Sequence, residues 1–185
     1  TMQKVSFTCL NDGTREEFEY LDALEATFRA GLPERIIDAL KKLESTLSGY
    51  AINRLEHCLQ SATRALRNDE PEEMVIAALL HDIGDELAPW SHSEMAAALL
   101  RPFVSDKTYW IIKHHGIFQL HYYAHHCGGD RNARDAYRDS PWFDDCVRFC
   151  EQYDQNCFDP DYDWEPLSFF ELMIHRFFAA PNLAD

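Results

Sequence analysis

The sequence lacks any apolar run approaching the roughly 18 residues of a membrane span, and its start shows no basic-then-apolar export signal. Its 185 residues contain no cluster of Lys or Arg, and 32 acids outnumber 17 bases for a formal charge of −15. Without a basic stripe, no nucleic-acid partner is expected. Such a field also slows a polyanionic substrate and favours a cationic or zwitterionic one. Alternating Val/Ile/Thr stretches are missing, so no sheet of consequence is expected, and residues 5–9 are the one candidate for extended chain. The six cysteines form no CxxC pair. With no export signal they read as reduced thiols of a cytoplasmic protein, and zinc binding through them is not expected. Cys146 and Cys150 fall one helical turn apart, a spacing that suits buried structural thiols.

What is present is helical. A composition of 46% hydrophobic and 26% charged residues is that of an ordinary globular chain, long enough for one domain with a sizeable core. Apolar residues recur at helical spacing over about 14–30, 33–47, 51–68, 71–83, 92–103, 106–115, 117–127, 131–138, 142–158 and 167–179. Pro33, Pro71, Pro141 and Pro166 each stand where a first helical turn would begin. Ser91 and Ser140 are placed as N-caps. There is no internal repeat and no low-complexity linker. The expectation is a single all-α domain, a helical bundle.

Nine histidines are many for this length, and several lie in apolar helical surroundings. His57 is in "NRLEHCLQSA", His81-Asp82 ends "EEMVIAALLHD", and His92 opens "HSEMAAALL". His115 closes "YWIIKHH", and Asp154 sits mid-helix in "FCEQYDQNCF". One buried histidine is usually a hydrogen-bonded core residue, but burying this many polar groups without partners costs several kcal/mol each. Imidazoles and carboxylates gathered around metal ions satisfy one another, and mixed N/O ligands suit iron, manganese or zinc. Adjacent His and Asp at a helix end can reach one ion, and the carboxylate can bridge to a second. Six side chains, His57, His81, Asp82, His92, His115 and Asp154, are the candidate metal ligands.

The order H…HD…H…H…D with "LLHDIGD" at its centre resembles the two-metal pattern of the HD-domain superfamily. Within it, "AINRLEHCLQSA", "AALLHDIGD", "WSHSEMAAALL", "IIKHHGI" and "YDQNCF" resemble the mixed-valent diiron oxygenases. That group includes myo-inositol oxygenase and the hydroxyalkylphosphonate-cleaving enzymes. "HCGGD" at 126–130 is similar to a stretch of the inositol oxygenases. The resemblance covers about residues 47–178. It implies an HD core over 47–180, with residues 1–46 a helical extension packed on it. It puts His57, His81, Asp82 and Asp154 on one iron and His92 and His115 on the other, with Asp82 bridging; His114 is left as an outer or surface residue. It further implies an Fe(II)/Fe(III) pair, dioxygen as co-substrate, and cleavage of a C–C or C–P bond next to a hydroxyl-bearing carbon. The alternative within the superfamily is a metal-dependent phosphohydrolase, with manganese, zinc or magnesium.

Three positions depart from the phosphonate-cleaving enzymes. Asp85 stands where relatives often carry Lys or His, Gln119 where they carry Lys, and Glu151, one turn before Asp154, where they carry Arg. An acid at position 85 repels an anion, so the expected substrate is a small polar alcohol or zwitterion, with amine or quaternary ammonium groups among the candidates. Lys113, Arg134 and Arg138 either form another anion clamp or lie on a solvated helix face. Trp90, Phe118, Tyr122 and Tyr123 either hold a cation on their ring faces or pack in the core. Tyr50, seven residues before His57, is either a lid over the vacant metal position or a core residue. The partner is a small molecule, and the oligomeric state is open.

Overall fold

Residues 74–80 are apolar on every side, and a helix with no polar face has to be surrounded. In the computed structural model, which describes residues 4–182, they are. Among the described residues there are eight α-helices and no strand: α1 (Arg15–Ala30), α2 (Leu32–Lys42), α3 (Arg54–Arg67), α4 (Glu72–Leu80), α5 (His92–Leu100), α6 (Asp106–Tyr123), α7 (Phe143–Tyr153) and α8 (Leu167–Phe177). The chain is an all-α, single-domain bundle. All seven residues Met74 to Leu80 are buried, and α4 packs against α3, α6 and α8. Around it, α5 pairs with α6, α6 with α7, and α7 with α3. Helix α2 adds Ile36, Ile37 and Leu40 to the same core as Phe170 and Ile174 of α8, whereas α1 buries no residue. No helix among the described residues is long and apolar enough to cross a membrane.

Two local devices set where α3 begins and what lies along it. Asn53 Oδ1 accepts from the Glu56 amide (2.9 Å), and Glu56 Oε2 accepts from the Asn53 amide (2.8 Å). This reciprocal cap starts the helix at Arg54 rather than at 51. Further on, the buried polar residues of α3 hold the segment after α7. Gln60 donates to the Asp159 carbonyl (2.9 Å), Thr63 accepts from the Glu165 amide (3.0 Å), and the Ser61 hydroxyl donates to the Tyr153 carbonyl.

Several expectations are corrected. Residues 4–8 form no strand; Ser6 instead donates through its amide and hydroxyl to Glu17 Oε1. The two segments expected at 106–115 and 117–127 are one helix to Tyr123 followed by a 3₁₀ turn, Ala124–Cys127. Gly116 is a point of close approach inside that helix and not a break, because a Cβ there would lie 2.6 Å from Ser93 Oγ. Residues 133–137 are 3₁₀ rather than α-helical, and α7 stops at Tyr153, five residues short of the expected end. Of the prolines, only Pro33 is inside a first turn; Pro71 and Pro166 are N-caps, and Pro141 precedes the N-cap Trp142. Ser140 therefore caps nothing, although its hydroxyl accepts from the Trp142 amide, and Ser91 is the N-cap of α5 without a side-chain hydrogen bond. The six cysteines are free thiols; buried Cys146 and Cys150 face the Ile111 and His115 carbonyls at 3.6 and 3.5 Å, joining α7 to α6.

The first turn of α4 is tied to the start of α6 through Glu73. Its carboxylate accepts from the Ser105 amide (3.0 Å) and from the hydroxyls of Ser105 (2.7 Å) and Thr108 (2.6 Å). Burial works to raise its pKa, but hydrogen bonds from Thr108 and Ser105 hold it below the ordinary value of 4.5. A lowered folded-state pKa contributes stability that is complete above the unfolded value and is lost as pH falls through the folded one. Glu73→Ala is expected to lower stability at neutral pH by about 1–2 kcal/mol, after allowance for solvent screening. In urea titrations the loss should shrink as the pH is lowered below about 4. An equal loss at both pH values would show that the carboxylate charge is not the stabilising feature.

Candidate metal centre

Five elements converge on one point. His57 comes from α3, His81 and Asp82 from the end of α4, His92 from the first position of α5, His115 from the middle of α6, and Asp154 from the C-cap of α7. All are buried except His92, whose side chain is 23% exposed. Asp82 is at the centre. Its Oδ2 lies 3.4 Å from His57 Nε2 and 3.5 Å from His81 Nε2; its Oδ1 lies 3.4 Å from His92 Nε2 and 3.5 Å from His115 Nε2. Asp154 Oδ1 faces the first pair, 3.5 Å from His57 Nε2 and 3.8 Å from His81 Nε2. The six residues named from the sequence are thus brought together.

Backbone carbonyls fix the rings. His57 Nδ1 meets the Cys157 carbonyl (2.9 Å), His81 Nδ1 the Ala78 carbonyl (2.7 Å), and His115 Nδ1 the Ile112 carbonyl (2.7 Å). A carbonyl only accepts, so each Nδ1 carries the hydrogen and each Nε2 turns a lone pair inward in the neutral ring. His57 Nε2 and His81 Nε2 are then only 3.0 Å apart, and two facing lone pairs need a proton or a cation between them. His115 Nε2 and Asp154 Oδ2 are buried with no hydrogen-bond partner. Three overlapping sets of potential ligand atoms, His57/His81/Asp154, His81/Asp82/His115 and Asp82/Asp85/His92, each lie within 4.8 Å of one another. Donors of this type, spacing and orphaned state fit metal cations.

The electrostatics agree. Burial opposes charging of His57, yet the Asp154 and Asp82 carboxylates, as acceptors for its charged ring, push its pKa up to about 9. Burial likewise opposes ionisation of Asp82, but His81, His115, His57 and Arg54 hold the carboxyl well below the usual range. The cluster attracts positive charge. His92, nearest the open side, is pulled down to about 4, first by burial.

Asp82 forms part of the wall of a cavity of ≈ 830 Å³, lined also by Tyr50, Arg54, Asp85, Gln119, Tyr122 and Phe158. Gln119 donates to Asp154 Oδ1 at 2.8 Å. Tyr50 is 54% exposed and stacks on Phe158 (4.9 Å between centroids), which lies flat on His57 (4.3 Å). Tyr50 is therefore at the cavity mouth and not in the core. Tyr123 lines the cavity as well, whereas Phe118 is fully buried core.

Two candidate substrate contacts lie outside this cavity. Trp90 is 97% exposed and lines a neighbouring groove of ≈ 620 Å³, not the cavity wall that Asp82 forms. The turn after α4 brings Gly84 against the His92 backbone, where a Cβ would sit 2.7 Å from the carbonyl oxygen, and Trp90 faces solvent beyond it. Glu151 is exposed and does not line the cavity. Asp154 leaves helical geometry (φ −133°, ψ −72°), so the one-turn relation inferred for the pair does not carry over. Lys113, Arg134 and Arg138 do not line the cavity either; Arg138 pairs with Asp135 on the surface. His114 stacks on Trp110, away from the cluster. Sequence reasoning missed Arg54 and Phe158. Arg54 precedes His57 by three positions on one helix face, a signal that was available; Phe158 depends on how the segment after Asp154 is folded back.

Gly116 positions His92 indirectly. A Cβ there would press on Ser93 Oγ, which is 3.3 Å from His92 Nε2, and would lie 3.6 Å from the His92 ring. Gly116→Ala is expected to destabilise by about 1–3 kcal/mol through overpacking. Combining it with Ser93→Ala should recover most of that, helped by up to about 1 kcal/mol of helix propensity. Thermal melts of the single and double variants check this. A single variant as stable as the parent would mean that Ser93 yields freely.

No family model matches the chain. A [1-hydroxy-2-(trimethylamino)ethyl]phosphonate dioxygenase (glycine-betaine-forming) from Leisingera caerulea is 38% identical over 66 residues, which cover 30% of this chain and 34% of that enzyme. The chain thus matches about a third of the length of this curated relative, and the similarity is to an enzyme that uses dioxygen.

Proposed function

We propose that the chain is a diiron oxygenase of HD-domain type, acting on a small hydroxylated substrate. The observation that carries this reading is the division of one buried carboxylate between two histidine pairs: Asp82 Oδ2 serves His57 and His81, and Oδ1 serves His92 and His115. His57, His81, Asp154 and Asp82 would hold one iron; His92, His115 and Asp82 would hold the other. When bound, the iron pair supplies Lewis acidity and the redox chemistry of dioxygen. The similarity to a dioxygenase supports iron over the alternative metals.

The chain's own residues do the rest. Carbonyl partners at Nδ1 fix the tautomer and orientation of the three buried imidazoles, with Nε2 turned toward the cluster. Phe158, flat on His57, and Phe149, edge-on to His81 and His115, shield those rings from water. Gln119 steadies Asp154 through its amide. Substrate enters by the cavity, where orientation of one C–H bond beside its hydroxyl is the protein's main contribution. The related enzyme acts on a trimethylamino compound, and Tyr50, Tyr122, Tyr123 and Phe158 line this cavity. Such rings hold a quaternary ammonium group for roughly 0.5–2 kcal/mol each. We therefore assign an ammonium-bearing alcohol as the substrate class.

Anaerobic loading with ferrous iron and metal analysis should find two irons per chain. Partial oxidation should then give a mixed-valent EPR signal that changes when a hydroxylated trimethylammonium compound is added, accompanied by substrate-dependent oxygen uptake. Asp82→Asn should lose both irons, whereas Tyr50→Phe should retain them. Preference for zinc, manganese or magnesium, with phosphomonoester hydrolysis and no oxygen uptake, would instead establish the phosphohydrolase.

A further inference from the structure

An acid at position 85 reads, in the sequence, as a bar to anions. The structure gives that acid a partner. The Arg54 guanidinium spans two carboxylates, with Nη1 2.9 Å from Asp82 Oδ2 and Nε 2.8 Å from Asp85 Oδ2. Its side chain is only 10% exposed, yet it lines the cavity beside Asp82. The Tyr50 ring supports it, 5.4 Å from the guanidinium carbon. Among the described residues, no hydrogen bond engages its Nη2. A guanidinium this buried is costly to place, and Asp82 and Asp85 together offset the cost and raise its pKa against burial.

Asp82 and Asp85 account for one face of the guanidinium; its Nη2, unengaged by them, is the group Arg54 adds to the cavity lining. We propose that Arg54 reads an anionic group of the substrate, a carboxylate or phosphonate next to the hydroxyl-bearing carbon, and that Asp85 is the positioning residue that holds the guanidinium. The proposal rests on the oxygenase reading. Once Asp82 serves bound cations, the Nη edge of Arg54 has one competitor fewer, and Asp85 retains Nε. A planar fork held at one edge presents its remaining donors in the geometry that carboxylates and phosphonates accept. Charge reversal at position 85 therefore does not remove anion recognition; it moves the positive charge from the turn after α4 to the first turn of α3. With the aromatic residues taking the ammonium end, the substrate is a zwitterion. The other charged groups lining the cavity, Lys42 and Glu86, are one of each sign and leave this balance unchanged.

The test is calorimetric binding of three probes to iron-loaded and metal-free protein: glycolate, inorganic phosphate and uncharged ethylene glycol. Arg54→Gln should weaken glycolate and phosphate by roughly tenfold or more, with iron content and ethylene glycol binding unchanged. Asp85→Asn should weaken the anions less, and Asp85→Glu, which keeps the charge, should restore them. Equal anion affinity in Arg54→Gln, parallel loss of all three probes, loss of iron in that variant, or no anion binding by the parent would each overturn the assignment. If Arg54→Gln does not fold, Arg54→Lys keeps the charge without the fork and should still lose severalfold in glycolate affinity; an unchanged value refutes the role. A parent chain that takes up no iron refutes the oxygenase reading instead, and the probe comparison on metal-free protein then decides the role of Arg54.

Discussion

One carboxylate sets the terms for the interior. Asp82 is 2% exposed and is faced by four imidazole Nε2 atoms at 3.4–3.5 Å, two on each oxygen. An anion placed so deeply is stable only among compensating positive charge and hydrogen bonds. Its surroundings are organised accordingly: rings locked by backbone carbonyls, a raised His57, a lowered Asp154, and a guanidinium on the remaining side. The apolar bundle encloses it on the other sides and leaves it open only to the cavity.

The fold and the cluster share an element. Helix α4 has no exposed face, so it must run through the middle of the bundle, and its last turn delivers His81 and Asp82 there. This makes the packing of Ile76, Leu79 and Leu80 inseparable from the placement of the ligands. The opposite wall comes from α6 and α7, joined through the Cys146 and Cys150 thiols, one of them on the His115 carbonyl itself.

Much of this was legible in the sequence. Helical spacing gives the all-α class, and His57, His81-Asp82 and His115 stand out as polar residues in apolar helical surroundings, while His92 and Asp154 are added by the motif order. The substrate side was less legible. Trp90 was named for its place near His92 and Glu151 for its correspondence to an arginine of the phosphonate-cleaving enzymes, but Trp90 faces solvent, and the end of α7 breaks the helical relation between Glu151 and Asp154. Asp85 was read by its own charge alone. The relevant quantity was the charge of a pair, and Arg54 sits 31 positions earlier. The expected boundary between 115 and 117 falls at Gly116, and no local pattern reveals the close approach to Ser93 on another helix that explains this glycine.

The reciprocal cap of Asn53 and Glu56 has a consequence for how the chemistry can vary. It fixes the register of α3, and both Arg54 and His57 are set by that register, one in the cavity and one in the cluster. A shift of the helix start by a single residue would rotate both by about 100°, so the anion-facing group and the imidazole cannot drift independently. Because the cap involves only residues 53 and 56, Arg54 and His57 stay in step whatever the length of the segment that precedes Asn53, and what the cavity accepts changes by exchanging side chains at those fixed stations.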